Sequence, residues 1–332
     1  MKYPSTLILS FLLPLLFACQ GKEKQATAQT ENIPAVDVPQ FNADSAYRHV
    51  EAQVAFGPRI PGTEAHRRCA DYLEQTLKRY GAQVTRQETQ VTRYDGKSLD
   101  ITNLVGSYNP DKAARILLMA HWDSRPWADA DPDEANHHTP IPGANDGASG
   151  VGVLLEAARL LGQQQPAVGV DILFFDAEDA GTPRWEEASD ENDAHTWCLG
   201  SQYWASTPHK EGYMARFGIL LDMVGGQNAT FYKEGYSMTY AAPVVTKVWS
   251  RAAALGYASY FVDREGGYVT DDHLPVNEIL GIPSIDIVPT DTENGGFCPQ
   301  WHTLQDDLPL IDTQTLKAVG QTVTAVVYLE TE

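Results

Sequence analysis

Five short segments of the sequence combine histidines with carboxylates, the side chains that bind zinc where cysteine ligands are absent. They are residues 120–124, 143–147, 175–179, 221–223 and 301–303. A catalytic zinc needs about three protein ligands and one open position. Each segment alone is weak evidence, because a single His or an Asn-Asp-Gly turn is usually structural. Together they predict a metal site.

The positions of these segments along the chain strengthen that prediction. Short apolar runs over residues 115–120, 168–175, 217–221 and 282–288 are typical of buried parallel strands. Ligands of open α/β sheets bind at the carboxyl ends of such strands. His121 and Asp123 follow the first run, and Asp176, Glu178 and Asp179 follow the second. Asp222 follows the third run, and the loop that carries His302 follows the fourth.

Helical patterns separate the predicted strands, so we expect an α/β fold with a mostly parallel, twisted central sheet flanked by helices. The predicted helices cover residues 43–54, 64–80, 148–161, 195–204 and 242–255. Thr63 is the expected N-cap of the second helix and Gly81 its stop. Residues 83–91 and 101–106 alternate as early strands at an antiparallel edge.

Composition predicts one folded domain over residues 41–332, because no linker or internal repeat divides it. The 44 acidic and 24 basic residues give a net charge of −20, which disfavours nucleic-acid binding. Beyond Cys19, the three cysteines cannot all pair within one chain, so this is no disulfide scaffold. A monomer is the default expectation.

The N-terminus has the features of an export signal over residues 1–18, with Lys2 before an apolar run too short to span a bilayer. Leu-Phe-Ala-Cys at residues 16–19 resembles a bacterial lipobox, with Cys19 as the lipidated residue. Residues 19–40 then form a polar tether. We therefore expect a periplasmic, membrane-anchored lipoprotein. A signal peptide whose cleavage removes Cys19 is the alternative.

The order His-x-Asp, Asn-Asp-Gly, Glu-Asp, Asp, His-Thr resembles the zinc aminopeptidase superfamily, whose fold is an α/β sandwich. Within it, the chain is similar to the animal-type glutaminyl cyclases. Trp301 precedes the metal histidine, Phe297 lies just upstream, and an insertion with Trp185 follows the acidic pair. Residues 271–275, Asp-Asp-His-Leu-Pro, match the Asp-Asp-His-x-Pro segment of cyclases.

The resemblance implies an enzyme that converts N-terminal glutamine of peptides and exported proteins into pyroglutamate and ammonia, with one zinc. It implies that the zinc ligands are Asp146, Asp179 and His302. It implies that Glu178 is the proton shuttle, within a hydrogen-bond network of Asp222 and Asp271. The implied pocket wall consists of Trp185, Phe297 and Trp301. Animal cyclases usually carry Glu where this chain has Asp179.

Two other functions remain open from the sequence. His121 and Asp222 are also residues that would hold a second zinc, as in a di-zinc aminopeptidase. A non-catalytic lipoprotein that keeps the fold as a binding module is the third hypothesis, and the presence of Glu178 argues against it. The acidic tracts 129–134 and 186–193 are interpreted as solvated loops, with calcium binding as the alternative.

Overall fold

The computed structural model describes residues 37–186, 193–290 and 296–332. The predicted signal peptide, Cys19 and nearly all of the predicted tether lie outside these residues. In the described part the strands are β1 (Gln83–Thr92), β2 (Ser98–Tyr108), β3 (Arg115–His121), β4 (Gly169–Phe175), β5 (Phe217–Leu221), β6 (Phe231–Lys233), β7 (Phe261–Glu265) and β8 (Ser284–Ile287). No helix among the described residues is both long and apolar enough to cross a membrane.

Six strands form the central sheet, in the order β1-β2-β4-β3-β5-β8. Strands β4, β3, β5 and β8 run parallel to one another, whereas β1 and β2 are antiparallel and occupy one edge. The mostly parallel sheet and its antiparallel edge are as predicted. Strands β6 and β7 form a separate two-stranded parallel sheet that the sequence pattern did not reveal.

Seven α-helices accompany the sheet in the described residues: α1 (Ala43–Val54), α2 (Glu64–Arg79), α3 (Ala148–Gln163), α4 (Leu199–Ser206), α5 (Gly235–Ala254), α6 (His273–Glu278) and α7 (Thr313–Tyr328). Thr63 caps α2 by accepting a hydrogen bond from the backbone N–H of His66, and Gly81 beyond its end has φ +87°. Both predicted ends of α2 are confirmed.

Two predicted helix boundaries are wrong. The helix expected from residue 195 begins at Leu199, because Cys198 has a left-handed backbone with φ 56° that an α-helix cannot continue through. The helix expected from residue 242 begins seven residues earlier, at Gly235, and is kinked at Ala241 before Pro243. Helix α7 was not predicted.

The central strands are buried on both faces, which explains their continuous apolar sequences. In β3, Ile116 and Leu118 belong to the larger hydrophobic cluster, whereas Leu117 and Met119 belong to a second cluster that includes Trp204 of α4. Helix α3 lies very close to the sheet: a Cβ atom at Gly150 would be 2.2 Å from the carbonyl oxygen of Leu221 at the end of β5. The helices therefore fix the ends of the strands.

Candidate metal centre and its cavity

The turn after β4 carries the acidic pair Glu178 and Asp179. Asp123, which follows β3, accepts hydrogen bonds from both of their backbone N–H groups, at 3.1 and 3.2 Å. Asp176 begins the turn and accepts from the backbone N–H groups of Thr102 and Ala177. Ala177 has a left-handed backbone with φ 52°, a conformation that surrounding contacts must stabilise. The turn is thus held from two neighbouring strands.

Asp146, Asp179 and His302 meet in one group, with ligand atoms within 4.8 Å of one another. His302 Nε2 lies 3.1 Å from Asp179 Oδ1 and 3.6 Å from Asp146 Oδ2. The Oδ2 atoms of both aspartates are buried and accept no hydrogen bond from the described residues. Because unpaired buried carboxylate oxygens are costly, this nitrogen and oxygen set fits a zinc ion.

His121 forms a second group with two of the strand-end acids. Its Nε2 atom lies 3.0 Å from Asp146 Oδ1 and 3.1 Å from Asp222 Oδ1. Asp146 therefore belongs to both groups, with one carboxylate oxygen directed to each histidine. In this arrangement His121 and Asp222 would either bind a second metal ion or hold the Asp146 carboxylate in position through the His121 ring.

Residues without a predicted role orient these ligands. Asp129 Oδ1 lies 3.4 Å from His302 Nδ1, and Arg125 donates to both oxygens of Asp129, at 2.9 and 2.6 Å. Asp306 accepts from the backbone N–H of Asp146. Contacts of this kind fix a metal ligand's direction and basicity. The local sequence does not reveal the contacts of Asp129 with His302 and of Asp306 with Asp146, because these partners are remote in the chain.

The interpretation of residues 129–134 as a solvated loop is wrong at its start. Asp129 is 3% exposed and pairs with Arg125. Asp131 is buried too, and it accepts from N–H groups of Asp133, Asn136 and Leu304. These donors occupy the oxygens that calcium would need. The second acidic tract, 186–193, lies mostly outside the described residues.

Glu178 is the buried carboxyl beside the predicted zinc ligands. Burial, and then the charges of Asp179 and Asp271, raise the pKa of Glu178 well above its ordinary value. Burial and the charges of Asp222 and Asp272 do the same to the pKa of Asp271. A bound cation would oppose both shifts. A raised pKa makes the Glu178 carboxyl a stronger proton acceptor than an ordinary glutamate side chain.

A cavity of about 190 Å³ opens onto these acids. Eight of the predicted site residues line it: Asp146, Glu178, Asp179, Asp222, Asp271, Phe297, Trp301 and His302. Trp301 stacks on His302 with ring centres 3.7 Å apart, and Phe297 packs on Trp301 at 4.8 Å. The strand ends and the loop after β8 therefore bring acids, histidine and aromatic wall together.

Trp185 is not among the residues that line this cavity. Its side chain is on the outside, where it contacts Trp127 and His138 at ring-centre distances of 5.9 and 4.4 Å. Trp197, from the same insertion, lines the cavity instead and lies parallel to the His302 ring at 6.0 Å. The prediction that Trp185 forms part of the wall is therefore not supported by its position, which is 39% exposed and outside the cavity lining.

Fold and site together define an α/β metalloenzyme of the zinc exopeptidase type. The profile of peptidase family M28 matches residues 103–327, and the chain belongs to this family. A Bacteroides thetaiotaomicron glutaminyl cyclase structure, bound to N-acetylhistamine, is 56% identical, with a TM-score of 0.87, over 89% of this chain and 100% of that chain. A Zn-dependent exopeptidase from Parabacteroides distasonis is 54% identical, with a TM-score of 0.86, over 89% and 100%.

More distant curated relatives include both enzymes and an uncharacterised protein. Glutaminyl-peptide cyclotransferase of Drosophila melanogaster is 25% identical over 282 residues, which cover 78% of this chain and 73% of that protein. The uncharacterised Escherichia coli protein YfbL is 38% identical over 112 residues. This match spans 34% of the chain and 32% of YfbL.

His302 is the residue whose removal tests the metal centre. We expect His302→Ala to lose most of its zinc, because the remaining aspartates lack the nitrogen ligand and its Asp129 partner. Zinc per chain, measured by atomic emission after dialysis, checks this. His138→Ala, which removes an exposed histidine, is the matched control. Normal zinc content in dialysed His302→Ala would refute the ligand assignment.

Proposed function

We propose that the chain is a zinc-dependent glutaminyl cyclase, which converts the N-terminal glutamine of peptides and proteins into pyroglutamate and releases ammonia. One observation carries the proposal: buried Glu178 and a zinc-type ligand set share a small cavity whose wall is built from Trp197, Phe297 and Trp301. A cavity of about 190 Å³ suits one short side chain. The 56% identity to a bacterial glutaminyl cyclase supports the same function.

The reaction joins the α-amino nitrogen of glutamine to its own γ-amide carbon, and the carbon–nitrogen bond of the amide breaks. Asp146, Asp179 and His302 would hold the zinc ion, which would supply a Lewis acid for the γ-carbonyl group. The Glu178 carboxylate takes a proton from the attacking α-amine and gives one to the leaving ammonia. Electrons and protons balance, so no further reactant is needed.

The surrounding residues serve this proton transfer. Asp222 and Asp271 line the cavity with Glu178. Burial and the charge of Asp271 raise the pKa of Glu178, which favours the protonated carboxyl that ammonia departure requires. The aromatic side chains of Phe297 and Trp301 replace water around the bound glutamine side chain. Exclusion of water protects the γ-amide from hydrolysis to glutamate.

An aminopeptidase is the second candidate, because His121, Asp146 and Asp222 form a second group able to hold a metal. In that reaction Glu178 would activate a water molecule instead of moving a proton between two nitrogens. The products separate the two functions. A cyclase leaves the peptide chain length intact and releases ammonia, whereas an aminopeptidase releases the whole first residue.

Glu178→Gln tests the proton shuttle. We expect the variant to keep its zinc and to lose activity by about 10²–10⁴-fold, because the amide cannot exchange the proton. The assay follows a Gln-initiated peptide by mass spectrometry together with ammonia release, with and without a chelator. An unimpaired kcat in the variant would exclude the role of Glu178. Release of free glutamine by the wild type would favour the aminopeptidase.

The two tryptophans of the insertion give a paired test of the cavity wall. We expect Trp197→Ala to raise KM for a Gln-initiated peptide by roughly tenfold, since it opens the wall beside His302. Trp185→Ala should stay within about twofold of the wild type, because the side chain lies outside the cavity. Steady-state kinetics of both variants check this. The opposite order of effects would restore Trp185 as the wall residue.

We also propose that the protein is exported and held at a membrane, as a monomer, by a lipid on Cys19. The apolar run, the Leu-Phe-Ala-Cys sequence and the polar residues that follow support this proposal. Expression of the full chain in a bacterium, followed by membrane fractionation, tests it. We expect the wild type in the membrane fraction and Cys19→Ser outside it. Equal fractionation of the two proteins would exclude the anchor.

A further inference from the structure

A second cavity, of about 590 Å³, lies beside the catalytic one. Residues 297–301 take part in the linings of both cavities. Phe297 and Trp301 line the catalytic cavity, whereas Cys298, Pro299 and Gln300 between them line the larger one. The neighbouring residues Asn145 and Asp146 are divided in the same way. The two cavities are therefore neighbours, and these two segments of the chain contribute to both linings.

The lining of the larger cavity contains no charged residue among the described residues, although the chain carries a net charge of −20. Its polar groups are neutral. The side chains of Asn228, Thr230 and Gln300 line the cavity, and the structure shows no hydrogen bond between them and any described residue. Free amide and hydroxyl groups of this kind offer both donors and acceptors.

Asn145 adds a buried polar group to this lining. The residue is 2% exposed, and its Oδ1 atom accepts a hydrogen bond from the backbone N–H of Gly225. Its Nδ2 group donates no hydrogen bond to any described residue. Thr290 also lines the cavity, and its buried hydroxyl oxygen has no hydrogen-bond partner among the described residues, so a ligand that hydrogen-bonds here would stabilise it.

We propose that the larger cavity binds the peptide segment that follows the N-terminal glutamine of the substrate. This inference rests on the proposed cyclase function. The catalytic cavity holds about one side chain, so the rest of a polypeptide must continue outside it. A peptide backbone carries alternating neutral donors and acceptors, and the uncharged amides and hydroxyls match them. The described lining residues carry no charge, so they do not select for a charged side chain after the glutamine.

Comparison of a short and a long substrate tests this. Glutaminamide fills only the catalytic cavity, whereas a five-residue Gln-initiated peptide would also enter the larger one. We expect Thr230→Trp, which fills the larger cavity, to raise KM for the peptide by about tenfold with kcat and the kinetics of glutaminamide unchanged. Thr85→Trp, at an exposed position on β1, is the matched control and should alter neither substrate's kinetics.

A milder double variant guards against a folding defect. Asn228→Gly combined with Gln300→Ala removes two free amides, and glycine accepts the left-handed backbone of residue 228, φ 59°. We expect KM to rise for the peptide only. Equal changes for both substrates, or no change for the peptide in either variant, would overturn the inference. Failure of the wild type to cyclise either substrate would instead overturn the proposed function.

Discussion

Buried negative charge at the carboxyl end of the sheet is the constraint on which the rest of the structure depends. Eleven of the described acids lie there with little or no exposure: Asp123, Asp129, Asp146, Asp176, Glu178, Asp179, Asp222, Asp271, Asp272, Asp286 and Asp306. Burying a carboxylate is costly unless it is paired, protonated or bound to a metal. The fold uses all three solutions. His302 pairs with Asp179, burial raises the pKa of Asp286, and Asp146 and Asp179 keep oxygens free for a cation.

Backbone geometry follows from that constraint. Of the six non-glycine residues with positive φ among those described, four lie at the site: Ala177, Cys198, Met223 and His302. Each such conformation costs about 1–3 kcal/mol and persists only where neighbouring contacts require it. Asp123 supplies contacts of this kind to Glu178 and Asp179. Turns of this shape direct successive side chains into one small volume, which regular strand or helix geometry cannot do.

Most of the site could be predicted from the sequence because the topology of the sheet determines which residues lie close together. Once four apolar runs are read as parallel strands, the residues after them must converge at one edge. The predictions failed where a backbone turn or a long-range contact decides. Left-handed Cys198 delays the start of α4, and Trp197 instead of Trp185 lines the cavity. Asp129 is buried against His302, which is far away in the chain, so the local sequence did not indicate its burial.

The two histidines have similar surroundings, which bears on the number of metal ions. His302 Nδ1 faces Asp129, whose carboxylate Arg125 orients, so Nε2 is directed toward the aspartates as a ligand should be. His121 Nδ1 lies 3.4 Å from Asp123 Oδ1, the same distance that separates His302 Nδ1 from Asp129 Oδ1. Its Nε2 is directed toward Asp146 and Asp222. Both histidines therefore present Nε2 to buried carboxylates, and Asp146, which the two groups share, would be a ligand whether one metal ion binds or two.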